Sequence, residues 1–139
     1  MRMAGYSATP LARKLGIKSG HVIALLDAPP TLPELLAPLP DETDVRTSLD
    51  GGPFDVVVCF TTKRDDLVRH VAQVQPVLAV AGGLWIAWPK KAAKIPTEVT
   101  EDTVREVALP LGLVDNKVCA IDETWTGLRL VLRRELRNR

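Results

Sequence analysis

The sequence contains no apolar run that approaches the roughly 20 residues a membrane-spanning helix requires, so we expect no membrane contact. With 18 basic and 17 acidic residues, a net charge of +1, it also lacks the excess of positive charge typical of a dedicated nucleic-acid-binding protein. The first residues, Met1–Tyr6, lack the apolar core of a signal peptide. From these absences we expect a cytoplasmic protein that is not built for nucleic acid.

Cysteine and histidine are scarce, with two residues of each type. Cys59 and Cys119 cannot supply a disulfide framework or a zinc site. His21 and His70 have no cysteine or carboxylate at metal-ligand spacing. We therefore expect no metal and interpret both thiols as inert. His70 is expected to be a partly exposed structural residue beside the apolar face of a helix.

Apolar residues, in contrast, are plentiful: 46% of the 139 residues are hydrophobic. That share excludes a disordered chain, and the length suits one domain that can bury a continuous core without disulfides or a structural metal. Neither an internal repeat nor a linker divides the sequence. We therefore predict a single domain over residues 1–139.

Charge is distributed unevenly along the chain. Residues 27–55 contain seven acidic residues and one base, Arg46, whereas residues 129–139 contain five arginines and one acid, Glu135. Such opposite blocks can pair with each other or mark separate contact surfaces. The simpler alternative is two solvated faces.

Hydrophobic patterning predicts strands that alternate with amphipathic helices. Strands are predicted at 21–27, 45–49, 54–60, 84–88, 114–121 and 128–133. Helices are expected to begin at the N-caps Thr9, Thr62 and Thr100. Five prolines within residues 29–40 leave room for one helical turn, and Gly82–Gly83 predict a turn before the third strong strand.

This alternation favours an α/β fold, a three-layer Rossmann-like sheet that is mostly parallel. The last two strands are too close in sequence for a crossover helix between them, so they form a C-terminal antiparallel hairpin. The same plan is found in the class I methyltransferase sheet, of which this chain would be a truncated form. Residues 79–86 also resemble the turn that leads into the fifth strand of those enzymes.

A methyltransferase needs a glycine-rich loop after its first strand, where the backbone approaches S-adenosylmethionine. Here the corresponding loop, Asp27–Thr31, contains no glycine and two prolines, Pro29 and Pro30. Proline has no amide hydrogen to offer and fixes its backbone dihedral. Binding of S-adenosylmethionine is therefore disfavoured, and we expect no cofactor. A phosphate-binding P-loop and a Gly-x-Ser-x-Gly elbow are also missing from the sequence.

Polar and aromatic residues follow the predicted strands, at the edge where open α/β sheets bind ligands. Those we select as ligand-binding candidates are Asp27, Thr61, Thr62, Lys63, Trp88, Lys90, Lys91, Glu123 and Trp125.

Two of these groups suggest specific chemistry, each with a simpler alternative. Lys90 and Lys91 could hold a phosphate or carboxylate while Trp88 stacks on a planar group. Alternatively, Trp88 is a core residue and the lysines are solvated. Adjacent acids at 122–123 could serve acid/base chemistry, but a turn explains them as well. We expect Trp125 to cover the edge of the core, and Thr61 and Thr62 to act as helix caps.

Several stretches together resemble a bacterial family known as domain of unknown function 3052. They are residues 5–7, 9–12, 15–17, 87–91, 109–115 and 122–125. The resemblance covers nearly the whole chain. It implies a small bacterial protein with a methyltransferase-like sheet and no established activity.

Our first hypothesis is a non-catalytic methyltransferase-like domain that binds a partner protein or a small ligand. It leaves open whether the protein forms a homo-oligomer. The alternative is a divergent enzyme, a methyltransferase or one acting on a small anion, which requires Lys90, Lys91 and Glu123 to line one pocket. A third interpretation, ranked last, uses the arginine-rich end for nucleic acid. Against it, no aromatic residues lie among those arginines.

Overall fold

A computed structural model describes residues 9–138 and contains one six-stranded sheet with the order β2-β1-β3-β4-β6-β5. The strands are β1 (Val22–Leu26), β2 (Asp44–Arg46), β3 (Phe54–Phe60), β4 (Leu78–Pro89), β5 (Leu113–Ala120) and β6 (Trp125–Leu132). Expectations that concern residues 1–8 and Arg139, such as the missing signal peptide, lie outside the described part of the chain.

Strands β1 to β4 pair in parallel, and β6 inserts antiparallel between β4 and β5. The central position of β3 follows from its composition, because a nearly continuous apolar strand is stable only with both faces covered. Its last five residues, Val56–Phe60, are buried. The predicted α/β fold with a mostly parallel sheet and a C-terminal antiparallel hairpin is thus confirmed.

Four α-helices within residues 9–138 cover the two faces of the sheet. They are α1 (Leu11–Lys14), α2 (Leu32–Leu36), α3 (Arg64–Val74) and α4 (Glu101–Ala108). Apolar residues of α3 and α4 join one core cluster, whereas those of α1 and α2 join the other, on the opposite face. None of the helices within residues 9–138 is long and apolar enough to cross a membrane.

Two of the three predicted N-caps are wrong. Helix α1 begins after Pro10 rather than after Thr9, and its N-cap makes no side-chain hydrogen bond. Helix α3 begins one residue later than expected, with Lys63 rather than Thr62 at the N-cap. The physical reason is a segment distant in sequence: Glu98 Oε1 accepts from the Arg64 amide at 2.9 Å, and the Glu98 amide donates to the Thr62 carbonyl at 2.8 Å.

The predicted turn at Gly82–Gly83 is also wrong, because β4 runs through both glycines as one strand of 12 residues. Its pairing with β3 shifts there: Phe54 lies opposite Leu78, whereas Val56 lies opposite Gly83. Extra residues of β4 therefore bulge out between these two pairs. At the other end of the sheet, Trp125 lies in β6 and not in the preceding loop.

The third predicted N-cap, Thr100, is confirmed, and removing its side chain should lower the stability of the protein measurably. Its hydroxyl accepts from the Thr103 amide at 3.3 Å, and the Thr103 hydroxyl accepts from the Thr100 amide in return. Because Thr100→Ala leaves the Thr103 amide without this partner, we expect the free energy of unfolding to fall by about 1 kcal/mol. Urea denaturation measures this loss, and Thr100→Ser, which keeps the hydroxyl, should stay within about 0.5 kcal/mol of the wild type. An equal loss in both variants would contradict the capping role.

Candidate functional site

A cavity of about 480 Å³ lies at the carboxyl ends of β1 and β2, beside α3. It is lined by Leu26, Asp27, Thr47, Ser48, Leu49, Arg69, His70 and Gln73. In open α/β sheets this edge is where ligands bind. Its volume is also within the range of about 300–1,000 Å³ that is typical of small-molecule pockets. We therefore take this cavity as the candidate site.

Asp27 ends β1 in an unusual backbone conformation, with φ at +56°. Aspartate is one of the few residues besides glycine that adopts this left-handed conformation readily. The next residues, Ala28-Pro29-Pro30, lead the chain away from the sheet into α2. As a result, the Asp27 carboxylate stays 65% exposed at the cavity although it follows a buried strand.

His70 contacts this carboxylate from α3, with its Nε2 at 3.1 Å from Asp27 Oδ2. Its side chain is only 6% exposed, so the expectation of a partly exposed histidine is wrong. The helical spacing of Leu67, His70, Val71 and Val74 explains this burial, because all four lie on the face that packs against the sheet. Within residues 9–138, His70 Nδ1 has no hydrogen-bond partner.

The cavity contains both signs of charge. Arg69 Nη1 lies 2.7 Å from Asp66 Oδ1 on the same helix. This hydrogen bond to Asp66 raises the pKa of the Arg69 guanidinium, and the Asp27 carboxylate adds a smaller electrostatic contribution. Asp66 balances the charge of Arg69 but pairs with only one of its nitrogens, so the lining offers guanidinium donors as well as the Asp27 carboxylate and neutral hydroxyl and amide groups.

The structure places Asp27 in this cavity but gives the threonines after β3 another role. Thr61 is buried, and its hydroxyl exchanges hydrogen bonds with the backbone of Lys63 in the turn before α3. The Thr62 carbonyl accepts from the Glu98 amide and so holds the segment around Glu98 in place. Lys63 is exposed as the N-cap of α3. None of these three residues lines the candidate cavity.

Trp88, Lys90 and Lys91 lie together at a second cavity of about 470 Å³, which also includes Thr97 and Glu101. Trp88 is 8% exposed and belongs to the core cluster under α3 and α4. Lys90 is half-buried and Lys91 exposed. The structure thus brings these three predicted residues to one place beside the start of α4.

Glu123 lies elsewhere, in a cavity that it shares with Thr31, Leu35 and Thr124. The preceding Asp122 closes the turn, since its Oδ1 accepts from the amides of Thr124 and Trp125, both at 2.8 Å.

Trp125 packs against Phe60 in a T-shaped arrangement, with ring centroids 5.1 Å apart, and so covers the edge of the core. Although the Lys90 amide donates to the Thr124 carbonyl at 2.8 Å, the two lysines and Glu123 line different cavities.

Neither cysteine offers a nucleophile. Cys59 is fully buried in β3, where burial above all, and the Asp27 charge in addition, raise the pKa of its thiol. Burial likewise raises the pKa of the Cys119 thiol. In the part of the chain that the structure describes, no three histidine, cysteine or acidic side chains are grouped to bind a metal ion.

We expect both thiols to react with iodoacetamide at pH 8 at least about tenfold more slowly in the folded protein than in the urea-unfolded chain. The reason is that the thiol form is unreactive and both sulfur atoms are buried. Mass spectrometry of Cys59→Ala and Cys119→Ala follows each thiol separately. Rapid labelling of Cys59 in the native state would show that β3 is accessible and contradict this expectation.

Sequence reasoning missed His70 and the side chains beside it, Arg69 and Gln73, as well as Thr47 and Ser48 after β2. One signal was available. His70 stands three residues after Leu67 and four before Val74, a spacing that places it within the apolar face instead of beside it. A histidine within such a face is buried and needs a partner, and the end of a neighbouring strand can supply one.

Comparison with solved structures finds chains of similar fold. A SAM-dependent methyltransferase from Aquifex aeolicus is similar with a TM-score of 0.62 and 13% identity, covering 86% of each chain. A TehB-like SAM-dependent methyltransferase from Corynebacterium glutamicum has a TM-score of 0.56 and 15% identity, covering 94% of this chain and 91% of its own. The fibrillarin pre-rRNA processing protein of Methanococcus jannaschii has a TM-score of 0.62 and 12% identity, covering 93% and 71%. At these identities the likeness shows a methyltransferase-like fold.

At the level of sequence, no curated protein matches the chain. The model of one protein family, described as a protein of unknown function (DUF3052), matches residues 35–134. That range includes β2 to β6, and with them Thr47, Ser48 and His70, but not Asp27.

Proposed function

The chain belongs to the DUF3052 family, whose function is unknown, and we propose that it is a non-catalytic, methyltransferase-like domain that binds a small ligand. The ligand lies in the cavity at the carboxyl ends of β1 and β2. The observation that carries this proposal is the Asp27–His70 contact of 3.1 Å, which orients an exposed carboxylate into a cavity of small-molecule size.

The loop after β1 argues against methyl transfer. In nucleotide-binding α/β folds, glycines in this loop let backbone amides approach the cofactor. Here the one residue in Asp27–Thr31 with a positive φ is aspartate, and two consecutive prolines follow. The helix after the loop, α2, is five residues long. These features support binding without the usual cofactor.

The lining of the cavity indicates the chemical class of the ligand. Asp27 is an exposed acceptor, so it favours a hydroxyl or amino donor and disfavours an anion. Ser48, Thr47 and Gln73 add neutral hydrogen-bonding groups, and Leu26 and Leu49 add apolar area. We infer a polar, neutral or cationic small molecule with hydroxyl or amino groups.

His70 is a positioning residue in this proposal. Its Nε2 is occupied by Asp27, and its Nδ1 is buried, so neither nitrogen faces a ligand. The imidazole therefore holds the carboxylate of Asp27, a residue whose backbone is in the left-handed conformation, in place. This arrangement supports a binding role over acid/base catalysis, which requires access to the imidazole.

Calorimetric titration with S-adenosylmethionine and S-adenosylhomocysteine tests the non-catalytic part of the proposal. We expect no heat of binding from either compound at about 0.1 mM, because the loop offers the cofactor no amide contacts. A dissociation constant in the micromolar range for either compound would overturn it.

Nuclear magnetic resonance tests the cavity independently, with adenosine as a hydroxyl-rich probe and spermidine as an amine-rich probe. Amide shifts are expected at Leu26, Ser48 and Gln73 with at least one probe and should weaken at least about tenfold in Asp27→Ala. Glu123→Ala, at a separate cavity, is the matched control. Shifts that are unaffected by Asp27→Ala, or no shifts at all, would contradict the placement of the site.

A divergent enzyme is the second candidate, favoured by the similarity in fold to SAM-dependent methyltransferases. Transfer of a labelled methyl group from S-adenosylmethionine to compounds of a cell extract distinguishes the two. Transfer that depends on Asp27 would favour the enzyme, and we expect none.

A further inference from the structure

The arginine-rich end of the chain contributes two side chains to a small cavity on the opposite edge of the sheet. Arg129 of β6 and Arg137, beyond the end of β6, line this cavity of about 190 Å³ together with Asn116 of β5. The bulged segment of β4, Val80–Gly82, forms its floor. This edge carries the amino end of β4, whereas the candidate site described above lies at the carboxyl ends.

Arg129 is positioned by a glycine. It lies directly opposite Trp85 on β4, and its side chain extends over Gly83. A Cβ at Gly83 would come within 2.8 Å of the Arg129 Cζ, so a larger residue there would displace the guanidinium. One further contact fixes the group, from Nη1 to Asn116 Oδ1 at 3.4 Å.

Arg137 is held in place by the backbone of β6. Its Nε donates to the Leu132 carbonyl at 2.9 Å, a bond that does not use the two terminal nitrogens. Burial first, and the charge of Arg137 second, lower the pKa of Arg129. Two like charges, one half-buried and one exposed, are therefore close together.

No acidic side chain lines this cavity, and within residues 9–138 no acid forms an ion pair with either arginine. The acidic block of the sequence does not supply the missing charge: Asp55 lies in β3, where its carboxylate accepts from the Val22 amide, and the other acids of the block lie around β1 and β2 at the far side of the sheet. Guanidinium groups with free donors and no counter-charge are the partners that oxyanions bind, frequently through two parallel hydrogen bonds.

We propose that Arg129 and Arg137 form a binding site for a phosphate-type oxyanion, with the Asn116 side chain and the β4 bulge completing its wall. A volume of 190 Å³ is below the range of about 300–1,000 Å³ of pockets that enclose a whole ligand. The site therefore takes one phosphate group, either free phosphate or the terminal phosphate of a monoester. It is independent of the function proposed above.

Calorimetry at constant ionic strength tests this proposal, with inorganic phosphate and phenyl phosphate as probes. We expect saturable 1:1 binding of at least one probe, and Arg129→Gln should weaken it at least about tenfold. If only inorganic phosphate binds, the site accepts the free ion. If phenyl phosphate binds, the site accepts a monoester.

Arg134→Gln is the matched control, because it removes the same charge from an exposed arginine that does not line the cavity. It should change the affinity less than about twofold. Arg137→Gln, a change in an exposed side chain, tests the site independently if Arg129→Gln does not fold. An equal loss in Arg134→Gln would attribute binding to overall charge and overturn the proposal, as would the absence of saturable binding with both probes.

Discussion

Replacing Trp85 by alanine is expected to lower the free energy of unfolding by about 3–5 kcal/mol. The side chain is fully buried in β4, between the sheet and the layer that α1 and α2 form. Its indole nitrogen donates to the Leu15 carbonyl at 3.0 Å, which connects the turn after α1 to the sheet. The variant loses apolar burial, leaves a cavity and removes the hydrogen bond, so all three effects act in the same direction.

Urea denaturation followed by far-ultraviolet circular dichroism measures this loss, since the substitution also changes tryptophan fluorescence. A natural domain has a total stability of about 5–15 kcal/mol, so Trp85→Ala could leave little folded protein. Trp85→Phe keeps a buried aromatic ring but removes the N–H donor and part of the ring volume, and should cost about 1–3 kcal/mol, because the Leu15 carbonyl loses its partner and a smaller cavity remains.

Trp125→Ala is the control for this prediction, because Trp125 is only half-buried at the rim of the same core. Its loss should be clearly smaller than that of Trp85→Ala. If the two alanine variants were equally unstable, burial of Trp85 would not be the main source of its contribution.

Elements whose character is set by local composition could be predicted from the sequence. The strand over Phe54–Phe60 has the predicted bounds, because its apolar residues permit burial on both faces wherever it lies in the sheet. The N-cap at Thr100 was also correct, since its partner is the nearby Thr103. In both cases the deciding interaction lies within the segment or depends only on its hydrophobicity.

Elements that depend on distant segments could not be predicted. The start of α3 is set by Glu98, 34 residues further along the chain. The path of β4 through Gly82–Gly83 is set by its pairing with β3. Turn propensity is a local property and carries no information about either neighbour, so the predictions at Thr62 and at the two glycines failed for the same physical reason.

The candidate site shows the same division. Asp27 could be selected because a residue that ends a parallel strand lies at the ligand-binding edge in any arrangement of the sheet. His70 joins it from a sequence distance of 43 residues, and only the packing of α3 against β1 brings the two together. The enzyme hypothesis required Lys90, Lys91 and Glu123 to line one pocket because each follows a predicted strand, but the loop that carries Glu123 connects β5 to β6 and presents it to another cavity.

Gly82→Ala is expected to lower the free energy of unfolding by about 1–3 kcal/mol, because β4 has no room for a methyl group at this position. A Cβ there would lie 2.8 Å from the Phe54 carbonyl oxygen and 3.0 Å from those of Ala79 and Asp55. All three oxygens belong to the backbone, so relief requires a shift of β3 or of the bulge and not the rotation of a side chain.

Val80→Ala is the matched control for Gly82→Ala, since Val80 lies in the same bulge with 36% of its surface exposed. It should change the stability by no more than about 0.5 kcal/mol. Urea denaturation compares the two variants. A Gly82→Ala protein as stable as the wild type would show that the bulge relaxes freely, and then the floor of the Arg129–Arg137 cavity is not fixed by this contact. If the destabilised variant also binds phosphate more weakly, the close approach of β3 and β4 at Gly82 both stabilises the sheet and shapes that cavity.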